Sequence, residues 1–397
     1  MKYDPASEIQ DHQVFGEFGG VNPSITDSST FTFMKPDTMK ELFENEIEGC
    51  FLYSRHWNPS NKYLSEALAK LEDTESAQVT SSGISAIACT ILQICKSGDE
   101  IISSRTIYGG TWALFKNILP KFGINVKFVD INNLSRVKSL INKNTKLIFC
   151  ETISNPLLDV SDLPKLSMIA KSDNLKLVVD NTFSPMVISP YKLGADVVIH
   201  SLTKYINGAS DCVAGCICAS NEFINELTDI NHGMTMLLGP VLDSFRSSSI
   251  LKNLNTLHIR MKQHSMNAKY LAEKIDKMGY NVFYPGLKKH PQYNLITSFK
   301  NDGFGYSGML GIDVGTLDQG EKILESMQKE KIGYLAVSLG YYKTLFSLPG
   351  SSTSSEIPED EQNKMGLSKG IIRFSVGLDN DIGRTFNRIK KCLKNLK

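Results

Sequence analysis

Between about residue 62 and 220 the chain alternates two textures, and this limits its fold more than any other feature. Apolar, β-branched runs occur at Glu100–Ser104, Asn125–Asp130, Lys146–Thr152, Lys176–Asn181 and Ala195–Ser201. Amphipathic stretches separate them at Ile84–Lys96, Thr111–Phe122, Leu134–Asn142 and Leu163–Ser172. Strand runs that are apolar throughout, each followed by a helical stretch, predict a mainly parallel sheet covered on both faces. The helix at Leu163 is announced by Ser161, Asp162 and Pro164, which suit a helix start. In such sheets a ligand lies beyond the carboxyl ends of the strands.

The flanking regions read differently. Residues 1 to about 60 lack sustained periodicity and carry Gly19, Gly20, Pro23 and Pro36, as an extended arm does. A long helical pattern runs from Leu242 to Met278, and shorter elements follow, ending in a strand at Ile371–Val376 and a last helix. We therefore expect an arm over 1–60, a large α/β domain over 61–255 and a smaller α+β domain over 256–397. A chain of 397 residues is long enough for two cores.

Composition narrows the function classes. The formal net charge is +1, so nothing points to nucleic acid or an acidic membrane surface. Lys390, Lys391, Lys394 and Lys397 read as the solvated face of a terminal helix. There is no apolar run of about eighteen residues to span a membrane. The first ten residues carry no apolar signal region, so the expected location is the cytosol. Eight cysteines in a chain of this length do not form a disulfide framework. Cys212, Cys216 and Cys218 lack zinc-ligand spacing and read as small buried residues, so no metal is expected.

Chemistry concentrates where strands end. Ser201-Leu202-Thr203-Lys204-Tyr205 follows the apolar run Val197-Val198-Ile199. A buried lysine has a lowered pKa, and its neutral amine can form a Schiff base. The hydroxyls of Ser201 and Thr203 suit a phosphate; the alternative is a surface lysine after a strand. Asp180 ends the run Val178-Val179, which is costly unless a cation meets it. A pyridinium nitrogen is such a cation; the alternative is a turn cap. Thr80-Ser81-Ser82-Gly83-Ile84 opens a helix, where free N–H groups attract a phosphate, although serine also caps helices in general. Tyr108, before Gly109-Gly110, suits stacking on a flat ring or burial in a core. Arg373, inside Ile371-Ile372-Arg373-Phe374-Ser375, suits a substrate carboxylate or an internal salt bridge. Gly303-Phe304-Gly305-Tyr306-Ser307-Gly308 matches a dinucleotide fingerprint in letters only, because a strand-like run follows it where a helix is needed. A nicotinamide-dependent oxidoreductase is rejected on that ground.

Taken in order, these segments resemble the Cys/Met-metabolism family of pyridoxal-phosphate (PLP) enzymes, from about Phe15 to Leu378. The resemblance rests on Tyr53-Ser54-Arg55 with Asn58-Pro59, Ser81-Ser82-Gly83, Tyr108-Gly109-Gly110-Thr111, Glu151 with Asn155-Pro156, and Asp180-Asn181-Thr182. It also rests on Ser201-Leu202-Thr203-Lys204-Tyr205, Ser338-Leu339-Gly340 and Arg373-Phe374-Ser375-Val376-Gly377. It implies the aspartate-aminotransferase-like (type I) fold with pyridoxal 5'-phosphate bound to Lys204, which also shuttles protons. Asp180 would hold the pyridine nitrogen. Ser82, Gly83, Ile84, Ser201 and Thr203 would take the phosphate. Tyr53 and Arg55 would reach the phosphate of a neighbouring subunit, in a homotetramer built from two active dimers. Tyr108 would stack on the ring and assist the leaving group. Asn155, Ser338 and Arg373 would hold the substrate carboxylate or the cofactor's ring oxygen.

Val337 stands where the cystathionine enzymes resembled carry glutamate. That similarity favours the methionine γ-lyase branch, which converts methionine to methanethiol, ammonia and 2-oxobutanoate. Cystathionine γ-lyase or γ-synthase chemistry is the alternative, and O-acetylhomoserine sulfhydrylase a further one. A PLP-binding protein without turnover is the reading from another class. The chain departs from relatives at Gly110 (cysteine in some methionine γ-lyases), at Ile153 (proline in most) and at Lys252-Asn253.

Overall fold

A computed structural model of the chain describes residues 3–44, 47 and 49–394. Met1 and Lys2 of the first segment, and Lys397 of the basic terminus, lie outside the described residues.

Seven strands form the main sheet. They are β1 (Ser76–Thr80), β2 (Glu100–Ser104), β3 (Asn125–Val129), β4 (Thr145–Glu151), β5 (Lys176–Asp180), β6 (Val197–His200) and β7 (Gly215–Ala219). Their spatial order is β1-β7-β6-β5-β4-β2-β3. Strands β3, β2, β4, β5 and β6 are mutually parallel, and β7 runs antiparallel to both its neighbours. The five predicted runs are thus strands, each within a residue or two of its expected limits. β1 and β7 were not among them. β1 alternates polar Ser76, Gln78 and Thr80 with Ala77 and Val79, and β7 sets Gly215, Cys216 and Cys218 around a single Ile217, so neither reads as a continuous β-branched run. Cys216 and Cys218 are fully buried there, with their thiols 3.8 Å apart.

The period of two sorts each strand between two cores. Ile102, Ile148, Val179 and Val198 face one side, against Leu64 and Leu68 of the helix Pro59–Glu72 and Leu166 of the helix Leu163–Ser172. Ile101, Phe149, Val178 and Ile199 face the other side, against Ile87 and Ile91 of the helix Gly83–Ile94. Each fully buried Val, Ile or Leu contributes about 1.5–3 kcal/mol, so both helical layers are strongly held. The Leu163 helix begins as expected, with the Asp162 carboxylate accepting from Lys165 N at 3.2 Å.

Two helical expectations need correction. The stretch from Thr111 to Phe122 is no single α-helix. A short helix, Gly109–Ala113, widens into a π-type turn over Leu114–Ile118 and tightens into a 3-10 turn over Leu119–Phe122. Pro120 has no N–H to carry an α-helix through. The pattern from Leu242 to Met278 is two helices, Ser244–Leu254 and Leu257–Asp276, broken at Asn255-Thr256. Arg260 captures the carbonyl of Asn253 at 2.9 Å, which substitutes for a continuing helical bond.

A second sheet contains β8 (Asn281–Phe283), β9 (Met309–Asp313), β10 (Tyr334–Leu335), β11 (Leu345–Ser347) and β12 (Ile371–Ser375), in the order β10-β11-β12-β9-β8. Leu310, Ile312, Ile372 and Phe374 pack against Leu271 of the helix Leu257–Asp276, Leu324 of Leu317–Lys329, and Ile389 of the terminal helix Ile382–Lys394. The glycine-rich Gly303–Gly308 segment leads directly into β9, which removes the helix a dinucleotide site needs. Phe15, Phe18, Val21 and Met34 of the arm are exposed. No helix among the described residues is long and apolar enough to cross a membrane.

Candidate active site

A cavity of about 280 Å³ opens at the carboxyl ends of β4, β5 and β6 and is closed on one side by β12 and the loop before β11. It brings together Ser82, Gly83, Ile84, Tyr108, Asn155, Asp180, Ser201, Thr203, Lys204, Val337, Ser338 and Arg373. Tyr53 and Arg55 do not line it. The Arg55 guanidinium lies 5.7 Å from the Tyr53 ring centroid and donates to the Met236 carbonyl at 3.1 Å.

Lys204 follows the last residues of β6. Its Nζ donates to Ser338 Oγ at 2.8 Å. Burial, with help from the Arg373 charge, lowers its pKa to about 8. Ser338 has φ +95°, a conformation rare outside glycine. That conformation aims its hydroxyl at Lys204 while its carbonyl accepts from Arg373 Nη2 at 3.4 Å.

Arg373 is buried in β12, where its other nitrogen, Nη1, donates to Asn155 Oδ1 at 3.0 Å. No carboxylate pairs with it among the described residues, so the internal salt bridge is not what it forms. Burial lowers it to about 10, still a cation at neutral pH. A desolvated guanidinium without a counter-ion is a receptor for a carboxylate.

Asp180 and Glu151 end β5 and β4 and are register partners on neighbouring parallel strands. Asp180 Oδ1 accepts from Thr182 N at 2.9 Å, and Thr182 Oγ1 accepts from Ser201 N at 2.8 Å, which ties the two strand tips together. Burial raises the Asp180 carboxyl. Burial and the adjacent Asp180 raise Glu151 further, against two N–H donors that pull it down. Two carboxyls side by side at a cavity floor call for a cation between the protein and its ligand.

Ser82 caps the helix Gly83–Ile94, its hydroxyl accepting from Ser85 N at 3.1 Å. The N–H groups of Gly83 and Ile84 then face the cavity at the positive end of the helix. A Cβ on Gly83 would lie 2.8 Å from Ser201 Cβ, so only glycine lets this turn approach the β6 tip. Thr203 Oγ1 is engaged with Ala214, accepting its N–H at 3.0 Å, which leaves the Ser201 hydroxyl freer for an anion. The Tyr108 ring lies over Gly110, where a Cβ would sit 2.6 Å from Cε1. Tyr108 is half-exposed, not a core residue, and burial together with the Glu356 carboxylate raises its phenol.

Behind the sheet, His200 Nε2 meets Glu72 Oε1 at 2.6 Å in full burial. Burial alone pulls the imidazole down, but the Glu72 carboxylate overrides it and the net shift is upward. Asn181 donates to the same Glu72 oxygen at 2.9 Å, anchoring the residue next to Asp180.

The sequence reading assigned no role to Glu151, Thr182, Val213 or Thr353, all of which line the cavity. Glu151 carries the same signal as Asp180, a carboxylate ending an apolar strand. The others come from loops whose folding has no periodic signature.

An amine of lowered pKa, a carboxyl at a neighbouring strand tip with no ion-pair partner among the described residues, and a helix start with free amides fit one cofactor, pyridoxal 5'-phosphate. The site and fold define a PLP-dependent enzyme of type I architecture. The chain belongs to the Cys/Met metabolism PLP-dependent enzyme family, whose model matches residues 7–385. It is 42% identical to methionine gamma-lyase of Arabidopsis thaliana over 396 residues, 98% of this chain and 90% of that protein. It is 37% identical to cystathionine gamma-lyase of Dictyostelium discoideum over 379 residues, 94% of this chain and 93% of that protein. The crystal structure of a putative O-acetylhomoserine (thiol)-lyase of Campylobacter jejuni, with its cofactor as a pyridoxyl-lysine monophosphate, superposes with a TM-score of 0.91 at 27% identity. That match covers 99% of this chain and 100% of that one. The chain is thus a PLP-dependent enzyme of the lyase type.

Proposed function

We propose that this enzyme performs γ-elimination on methionine, consuming one water and releasing methanethiol, ammonia and 2-oxobutanoate. The observation that carries the choice of substrate is the wall beside Ser338. Val213 and Val337 form it, and they suit an uncharged thioether. The 42% identity to the Arabidopsis methionine gamma-lyase supports the same branch.

The roles follow from position. Bound PLP supplies an electron sink that stabilises negative charge at the substrate's Cα. Lys204 would hold the cofactor, with Asp180 on the pyridine nitrogen and Gly83, Ile84, Ser82, Ser201 and Thr203 at the phosphate. Arg373, oriented by Asn155 and the Ser338 carbonyl, receives the substrate carboxylate. The Lys204 amine, neutral in a useful fraction near pH 8, takes the Cα proton, gives that proton up again, and as a neutral amine once more takes one from Cβ. Tyr108 stays protonated at neutral pH and gives its proton to the departing sulfur. The two valines offer that thioether an apolar contact.

One observation favours cystathionine cleavage as a second reading. Glu356 lies against Gly109, beside Tyr108, and offers a carboxylate that could meet a distal ammonium. Measuring 2-oxobutanoate from methionine and from cystathionine, and thioether from an O-acylhomoserine with a thiol, separates the readings. Methionine should be the best substrate; a clear preference for either of the others overturns the proposal.

The assembly belongs to the same proposal. An arm over 1–60, a cofactor domain over 61–255 and a smaller domain over 256–397 would form a cytosolic homotetramer of two active dimers. The exposed arm residues, and the position of Tyr53 and Arg55 outside their own chain's cavity, support it.

A further inference from the structure

Glu151 has no assigned task, yet both oxygens of its carboxyl group are held by backbone N–H groups. It is the last residue of β4 and shares a sheet face with Phe149, the face on which the cavity opens. It is buried, with 6% of its surface exposed. Its two oxygens serve two different segments. Oε1 accepts from Tyr108 N at 2.8 Å, and Oε2 accepts from Asn155 N at 2.8 Å. Neither segment is a sequence neighbour of the other.

We propose that Glu151 is a positioning residue that clamps the Tyr108 turn to the Asn155 turn, fixing the distance between the group at the leaving sulfur and the group that orients Arg373. The proposal rests on the reading of Tyr108 and Asn155 given above. The physical case has three parts. A carboxylate is the one side-chain group that offers two equivalent acceptors at fixed spacing. Both oxygens of Glu151 are engaged as acceptors, and burial removes the water that would compete for these bonds. Finally, both donors are backbone N–H groups. A peptide plane cannot rotate independently, so each bond sets the direction of the residue it belongs to.

The consequences reach opposite ends of the substrate. At one end, Tyr108 precedes the helix Gly109–Ala113, and its ring projects into the cavity from that anchored backbone. At the other, Asn155 Oδ1 holds Arg373 Nη1 at 3.0 Å, so the clamp extends to the carboxylate receptor. Register with Asp180 on β5 puts the clamp beside the carboxyl that serves the cofactor ring. One rigid strand end therefore references three groups to each other. Reactions of this kind lose large factors when such a reference slips by a fraction of an ångström.

The test is E151Q, which keeps the shape but turns one acceptor into an NH2 group that confronts an N–H. Amide hydrogen exchange on the holoenzyme should speed up on the order of tenfold at Tyr108 or Asn155, while Leu147–Cys150 of β4 keep their protection. A double-mutant cycle adds a second readout. E151Q should lower kcat/KM about tenfold in the wild-type background and clearly less, about threefold, in Y108F, where only the Arg373 end of the clamp is left to lose. Unchanged exchange at both amides, general loosening of β4, or equal costs in the two backgrounds would overturn the proposal. If E151Q does not fold, E151D takes its place: it keeps the carboxyl but withdraws both oxygens by one methylene, and the same two amides should respond. If the wild-type enzyme makes no 2-oxobutanoate, the functional reading fails by itself, and the exchange measurement still decides the role of Glu151.

Discussion

Lys204 Nζ and Ser338 Oγ are 2.8 Å apart, and this contact joins the tip of β6 to the loop that precedes β11. The amine is thus held in place by a neutral hydroxyl, without a counter-ion among the described residues to keep it charged. Only the neutral amine attacks an aldehyde, and its pKa is lowered from the ordinary lysine value to about 8. In cofactor-stripped protein, the rate of PLP capture should climb as pH rises from 6 to 8 and level off above that. The growth of the yellow absorption measures it. A rate still climbing steeply beyond pH 10 would mean an unperturbed lysine.

Lys204→Ala removes both the attachment point and the base. Borohydride reduction should then add no cofactor mass to the peptide that spans residue 204. Production of 2-oxobutanoate should fall by about 10²- to 10⁴-fold, the usual contribution of a positioned acid–base group. Mass spectrometry and the keto-acid assay read these separately.

Arg373→Lys keeps a positive charge in β12 but loses the two-pronged geometry that matches a carboxylate. Asn155 Oδ1 and the Ser338 carbonyl now orient a planar group, and an ammonium held by both has one donor left and cannot present two parallel ones to a substrate. KM for methionine should rise roughly ten- to a hundredfold, as expected for about 1.5–3 kcal/mol of lost charged hydrogen bonding. The fall in kcat should be smaller. Steady-state kinetics over a wide substrate range gives both values.

What was legible in the sequence follows a physical division. Asp180 and Lys204 could be found because a charge at, or just past, the end of a buried strand demands a local explanation, and a ligand is one that serves. Arg373 stood out for the same reason within β12. Glu151 met the same criterion and stayed without a role, because its partners are the backbones of residues 108 and 155, and backbone partners leave no letter in a sequence. The two-helix break at Asn255-Thr256 was hidden because both helices keep apolar residues at compatible spacing across it. Val213 and Thr353 reach the cavity through loop folding alone.

Val337 lies beside Ser338 on the cavity wall and is largely exposed, so a polar residue fits there without burying an unpaired charge. Val337→Glu should redirect selectivity. A carboxylate at this position repels nothing in a thioether tail but removes its apolar contact, and it attracts the ammonium of a cystathionine tail. The ratio of kcat/KM for cystathionine to that for methionine should rise about tenfold or more, equivalent to roughly 1.4 kcal/mol. Competition between the two substrates in one reaction measures the ratio directly.

Tyr53 and Arg55 allow the strictest test of how many chains build a site. Arg55 is fastened to the Met236 carbonyl and lies outside its own chain's cavity, so its guanidinium can serve a phosphate only across an interface. Arg55→Ala and Lys204→Ala homo-oligomers should each be nearly inactive, the first because phosphate affinity is lost and the second because the base is gone. In a mixed dimer, both defects can fall on one site: the Lys204→Ala chain supplies the broken lysine, and the Arg55→Ala chain fails to supply the guanidinium. The other site then has an intact lysine from the Arg55→Ala chain and an intact arginine from the Lys204→Ala chain. Unfolding and refolding the two variants together should therefore restore up to about a quarter of wild-type activity, as random pairing makes half the dimers mixed with one good site each. If Arg55 acted within its own chain, every site in the mixture would carry a defect and no activity would return.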